Sequence, residues 1–177
     1  MDDSRIVKFF RRHHVLTIAT TINNEPWCAN CFYVYLEEEN ALVFTTDTDT
    51  RHGQEFVKNP VVAGSVVLET MIIGKIRGIQ FQGIVSEPEG NLASKAKSAY
   101  LKRFPVAMLM DTHLWVVKLT HIKMTDNRFG FGKKVIWNGP PCRGAASPLK
   151  GIAADRKDPR HAERGAPRRG AINHDSI

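Results

Sequence analysis

The stretch from Leu42 to Val66, LVFTTDTDTRHGQEFVKNPVVAGSV, narrows what this chain can fold into. An apolar strand runs into a Thr-rich turn suited to capping a helix. A short amphipathic helix, an Asn-Pro stop and a second apolar strand follow. The turn places the hydroxyls of Thr46 and Thr50 beside Arg51 and His52. At a helix start, backbone N–H groups and the helix dipole supply positive potential, and an arginine adds a bidentate grip. The pattern points to a phosphorylated ligand. The plainer reading is an ordinary N-cap at Asp49 or Thr50, with Arg51 solvated on the first helical turn.

The rest of residues 1–137 repeats this alternation of strands and short helices. Ser4 is positioned to cap a first helix carrying Ile6, Phe10 and His13 or His14 on one face. Val15–Ile22 reads as a strand, ended by the turn signal Asn23-Asn24-Glu25-Pro26. Trp27–Glu37 and Asn40–Thr46 read as a second and third strand, Arg51–Lys58 as the short helix and Val61–Leu68 as a fourth strand. Lys75–Ser86 reads as a fifth, in which Gly78 and Gly83 suggest bulges or close backbone approach. Leu92–Phe104 has helical spacing, and Leu114–Met124 is a last long strand with Trp115, Val117 and Leu119 turned inward. Six strands joined by hairpin-length turns and short helices predict a mainly β domain, a small six-stranded antiparallel barrel.

Composition divides the chain near Asn138. Residues 138–177 lack aromatics and any sustained apolar period, so they cannot bury enough surface to offset their ordering entropy. They are expected to be a disordered, basic tail. Net charge is +7 overall, but residues 1–137 hold 17 Lys and Arg against 14 Asp and Glu. The remaining +4 sits in the tail, so a nucleic-acid partner rests on the tail alone and is not expected of the barrel. No apolar run is long enough to span a bilayer, and the start MDDSRIVK has no signal-peptide core. A cytoplasmic setting is therefore the expectation, and the odd set Cys28, Cys31 and Cys142 fits a reducing compartment.

Two motifs invite other chemistry. Cys28-Ala29-Asn30-Cys31 is a C-x-x-C string, yet it lies in a strand, where residues three apart face opposite sides. Redox disulfide chemistry and zinc binding are both disfavoured there. Gly130-Phe131-Gly132-Lys133-Lys134 lacks the spacing of a phosphate loop and reads as a turn after the last strand. Arg77 is either a ligand contact or the partner of an acidic neighbour.

The strings Phe44-Thr45-Thr46, Thr50-Arg51-His52, Asn59-Pro60-Val61-Val62 and Arg77-Gly78-Ile79-Gln80-Phe81-Gln82-Gly83 resemble the pyridoxamine 5′-phosphate oxidase-like family of FMN-binding split barrels. With WCANCFY, RFPVA and TDNRFGFGKKVIW, the likeness extends over residues 1–137 and is similar to a small bacterial subfamily. The resemblance implies a homodimer with two flavin sites in the clefts between subunits. By matched position, Thr46, Thr50 and Arg51 would hold the FMN phosphate, with His52 where many relatives have Lys. Asn30, Phe32 and Tyr33 would line the ring, and Arg77 opens the strand that passes beneath it. Lys133, Lys134 and Trp137 stand where the oxidases close with a Trp and Arg segment. Gly78 falls near the position where the oxidases often carry Gln beside the ring, a departure from pyridoxamine phosphate oxidation itself. The expectation is an FMN-dependent oxidoreductase acting on a small molecule. The alternative is a non-catalytic flavin, haem or deazaflavin module of the same fold.

Overall fold

The computed structural model describes residues 3–109, 113–130 and 132–139. Its elements are α1 (Ser4–Arg12), β1 (Val15–Ile22), β2 (Glu25–Leu36), β3 (Ala41–Thr45), α2 (Arg51–Lys58) and β4 (Val61–Leu68). They continue with β5 (Arg77–Ser86), α3 (Gly90–Arg103), β6 (Leu114–Asp126) and β7 (Lys134–Asn138). Of the tail expected over residues 138–177, Asn138 ends β7, and residues 140–177 lie outside the described residues.

Alternation of apolar and polar side chains builds the sheet. β1 buries Leu16, Ile18 and Thr20 and turns Thr17, Ala19 and Thr21 the other way. It returns into β2 through Asn23 and Asn24, whose φ values of 53° and 67° suit a two-residue hairpin turn that asparagine tolerates. The strands follow the order β3-β2-β1-β4-β5-β6-β7, and β3 also pairs with β6. That pairing closes six antiparallel strands into the expected barrel. β6 gives Leu114–Lys118 to β3 and His121–Thr125 to β7, so these two strands share its length. A register shift between Gln82 and Gly83 marks a bulge. A Cβ at Gly83 would meet the Lys118 carbonyl at 2.7 Å, which is the close approach its position suggested.

Three features differ from the sequence reading. The cap of α1 is Asp3, whose side chain accepts from the Arg5 N–H, and Ser4 is the first helical residue. The Lys133 N–H donates to the Gly130 carbonyl in the expected turn, but the chain then re-enters the sheet as β7, because β6 runs on to Asp126 and leaves an edge to be paired. Lys75 belongs to a 3-10 turn (Ile73–Lys75), so β5 starts at Arg77.

The barrel is filled by Leu16, Ile18, Tyr33, Leu42, Phe44, Ile79, Phe81 and Trp115, and α1 adds Ile6, Phe9 and Phe10. Each fully buried side chain of this kind contributes roughly 1.5–3 kcal/mol. On the outer side, Ala96 and Tyr100 of α3 pack on Val34, Val43 and Val116. No helix among the described residues is long and apolar enough to cross a membrane.

Candidate functional site

The Thr-rich turn leaves β3 where the barrel opens. Trp115 Nε1 donates to the Thr46 carbonyl at 3.0 Å and pins the strand end. Thr50 is the N-cap of α2: its hydroxyl accepts from the Gly53 N–H at 3.1 Å and donates to the Asp47 carbonyl at 2.8 Å. Its oxygen is therefore occupied in shaping the turn, as the plainer reading had it. Gln54 N–H bonds the Thr50 carbonyl, so the N–H groups of Arg51 and His52 are the helix-start donors without a partner among the described residues. His52 Nε2 lies 2.7 Å from Thr46 Oγ1, and its ring packs against Phe56. Burial holds the His52 imidazole below its ordinary pKa, and the Glu55 charge pulls it partly back.

Arg51 is exposed, as the plainer reading had it, but it is not free. Its Nε donates to Glu55 Oε1 at 2.8 Å, and its guanidinium carbon lies 4.4 Å from the centre of the Trp27 ring. Its Nη2 stands 3.9 Å from the exposed Glu25 carboxylate. The result is one hydroxyl, one imidazole, one oriented guanidinium and two free backbone donors on a single turn. Such a donor set fits a phosphate monoester.

β2 supplies the adjoining wall. Only Tyr33–Leu36 of β2 pairs with β3, whereas the preceding residues pair with β1 alone. One edge of its first half is thus unpaired among the described residues, next to the turn that leaves Thr45. Asn30 projects outward and accepts from Thr17 Oγ1 at 2.7 Å. Phe32 is 55% exposed and packs on Phe104, which packs on Tyr100, whose hydroxyl lies 3.1 Å from Thr45 Oγ1. Thr46, Thr50, Arg51 and His52 therefore gather on one turn, Phe32 is linked to its start through Phe104, Tyr100 and Thr45, and Asn30 lies with Thr17 on the outer face of β2.

The other sequence candidates lie elsewhere. Tyr33 points into the core with no exposure, and its hydroxyl donates to the Phe10 carbonyl at 2.9 Å. Its ring fills the barrel because alternation along β2 turns it inward beside Cys31 and Tyr35. Arg77 stands opposite Asp126 in the β5–β6 ladder, at the far end of β6 from Trp115; the ion pair of Asp126 is with Arg128, and the buried Arg77 Nε has no hydrogen-bond partner among the described residues. Arg128 bonds hold the Asp126 carboxyl below its ordinary range, and the Arg77 charge adds to this. Lys133 is exposed in the turn before β7, Lys134 faces Thr125 across the ladder, and Trp137 packs on the core beside Ile122. The structure does not bring these four to the Thr-rich turn within one chain. The C-x-x-C pair is split as expected: Cys28 is exposed, and Cys31 is buried with its thiol pushed up to about 11.

Three residues at this end escaped the sequence reading: Trp27, Glu55 and Thr20. Arg51 and Glu55 stand four apart on α2, a spacing that marks a helical ion pair. Thr20 carries no such signal, because it meets Glu55 only through the packing of β1 on α2.

A closed six-stranded antiparallel barrel, with a β2 edge left open beside a helix start, defines a split β-barrel. Solved structures agree. A haem-binding protein from Mycobacterium smegmatis matches at 20% identity with TM-score 0.63, covering 73% of this chain and 55% of that one. HutZ, the haem storage protein of Vibrio cholerae, matches at 18% identity with TM-score 0.54, covering 67% and 91%. An FAD-binding protein from M. smegmatis matches at 14% identity with TM-score 0.57, covering 77% and 98%. At these identities the likeness is one of fold. No protein-family model matches the chain. Among curated proteins, a UPF0306 protein of Photorhabdus laumondii is 45% identical over 132 residues, 75% of this chain and 92% of its own length. A UPF0306 protein of Yersinia pseudotuberculosis is 42% identical over 138 residues, 77% and 94% of the two lengths. The chain belongs to the UPF0306 family.

Proposed function

We propose that this protein binds FMN, with the phosphate on the turn from Thr46 to Gly53 and the ring along the open edge of β2, and that it is a flavin-dependent oxidoreductase. The observation that carries the reading is the convergence of Thr46, Arg51, His52 and two unpartnered N–H groups at the start of α2. The flavin would supply hydride or electron transfer to a small molecule; the chain's own residues bind and orient it. Arg51 and the helix-start N–H groups hold the phosphate. Asn30 and the free backbone of β2 offer polar partners to the ring edge, and Phe32 offers an apolar surface. No side chain at this end is placed as a general base.

The reading includes a homodimer. Val15, Phe32, Val67 and Ile136 are exposed on the outer faces of their strands, around a shallow cavity of about 440 Å³ lined by Cys28, Ser65, Gln80, Gln82, His121 and Lys123. A second copy would cover this face and bring its own groups to the flavin. A second reading, a haem module, is favoured by the two structural neighbours whose names state haem.

Titration with FMN, riboflavin, a deazaflavin and haem separates these readings. The FMN reading predicts quenching of FMN fluorescence at much lower protein concentration than for riboflavin. Haem bound in preference to every flavin contradicts it. Oxidation of a reduced nicotinamide by the flavin-loaded protein tests turnover, and its absence with several electron donors makes the protein a binding module.

A further inference from the structure

An arginine on a first helical turn is ordinarily mobile and loses rotamer entropy when it grips an anion. Arg51 is already fixed. Glu55 takes its Nε at 2.8 Å, and Trp27 lies under its guanidinium at 4.4 Å. Glu55 is itself 9% exposed, and its second oxygen accepts the hydroxyl of Thr20, which is 1% exposed. The contacts Thr20–Glu55–Arg51–Trp27 thus join β1, α2 and β2 across the open end of the barrel. Because Glu55 engages only Nε, the plane of the guanidinium is set, while Nη2 meets only the exposed Glu25 carboxylate, at 3.9 Å, a loose contact that a phosphate can replace.

We propose that Glu55, anchored by Thr20, is a positioning residue that aims the Arg51 guanidinium at an incoming phosphate monoester and so sets the preference for FMN over riboflavin. This rests on the phosphate reading of the turn. Two effects of the carboxylate oppose each other. Its charge offsets that of Arg51 and weakens the pull on a phosphate, whereas its hydrogen bond orders the fork that phosphate needs. The geometry favours ordering, since the buried carboxylate is anchored by Thr20 and takes the guanidinium at Nε.

Glu55→Ala and Glu55→Gln separate the two effects, because glutamine keeps an acceptor for Arg51 Nε and loses the charge. Positioning predicts that Glu55→Ala raises the FMN dissociation constant roughly tenfold or more, as for loss of a charged hydrogen bond. Riboflavin binding should stay unchanged, and Glu55→Gln should restore most of the preference. Unchanged or tighter FMN binding in Glu55→Ala overturns the proposal. Thr20→Val, which removes the anchor of Glu55, is read the same way if the alanine variant does not fold. An independent readout is the Arg51 Nε–H resonance in the ligand-free protein. It should exchange slowly in the wild type and rapidly in Glu55→Ala; equal exchange in both overturns positioning. Slow exchange in the wild type, with no preference for FMN over riboflavin, instead overturns the phosphate reading and with it the role assigned to Glu55.

Discussion

At the scale of single residues, the site depends on a few polar atoms whose partners are named. Arg51→Ala removes the only guanidinium on the turn and is expected to weaken FMN binding by roughly 1.5–3 kcal/mol, the range for charged hydrogen bonds. Riboflavin binding should not change; an unaltered FMN dissociation constant would take Arg51 out of the site. His52 makes a second, pH-dependent prediction. Burial lowers its folded-state pKa below the ordinary imidazole value of about 6.5. Between those two values the unfolded chain binds more protons than the folded one, so stability falls as pH drops through that range. His13, also depressed by burial, acts in the same direction. The melting temperature should decline between roughly pH 7 and pH 5, and less steeply in His52→Gln. An equal decline in that variant would show that His52 is not a source. The carboxylates of Asp3, Glu39, Glu55 and Asp126 are shifted down, so their contribution is present across that window and is lost only at more acid pH. The turn itself was legible in the sequence because hydroxyls, arginine and cap lie within a few positions of one another. The clamp on Arg51 was not, since Thr20 and Glu55 are joined only by tertiary packing.

At the scale of elements, local punctuation decided which boundaries could be read. β1, α2 and β4 have the limits expected from Asn-Asn, the Thr cap and Asn-Pro. β7 was missed because it is short and its pairing depends on how far β6 extends, which no local signal states. The same dependence explains Arg77: its strand was identified, but its place opposite Asp126 follows from the ladder between β5 and β6. Glycine gives the test at this scale. A Cβ at Gly64 would press on the Phe81 ring and meet the Thr17 carbonyl at 2.5 Å, where β1 and β4 pair. Gly64→Ala is expected to destabilise the barrel by about 1–3 kcal/mol, as overpacking does. A denaturation midpoint equal to the wild type would mean that β1 and β4 can part without cost at this point.

At the scale of the whole molecule, the barrel turns an apolar outer face to solvent in the single chain, and the proposed dimer accounts for it. Val67 is 63% exposed on that face. Light scattering should find the wild type dimeric and Val67→Glu monomeric, with the same circular dichroism. A monomeric wild type would contradict the dimer and leave the flavin without a second wall. The fold class was readable from strand count and turn spacing, because closure of six short antiparallel strands leaves few alternatives. What lies at each end of the barrel was not, because it depends on how the ends of the strands are paired and covered. The most direct test of the account is a crystal structure of the FMN-loaded protein. The phosphate is expected within hydrogen-bond distance of Arg51 and the N–H groups that open α2. A phosphate seated at the Arg77 and Asp126 end of the barrel, or against Lys133 and Lys134, would contradict it.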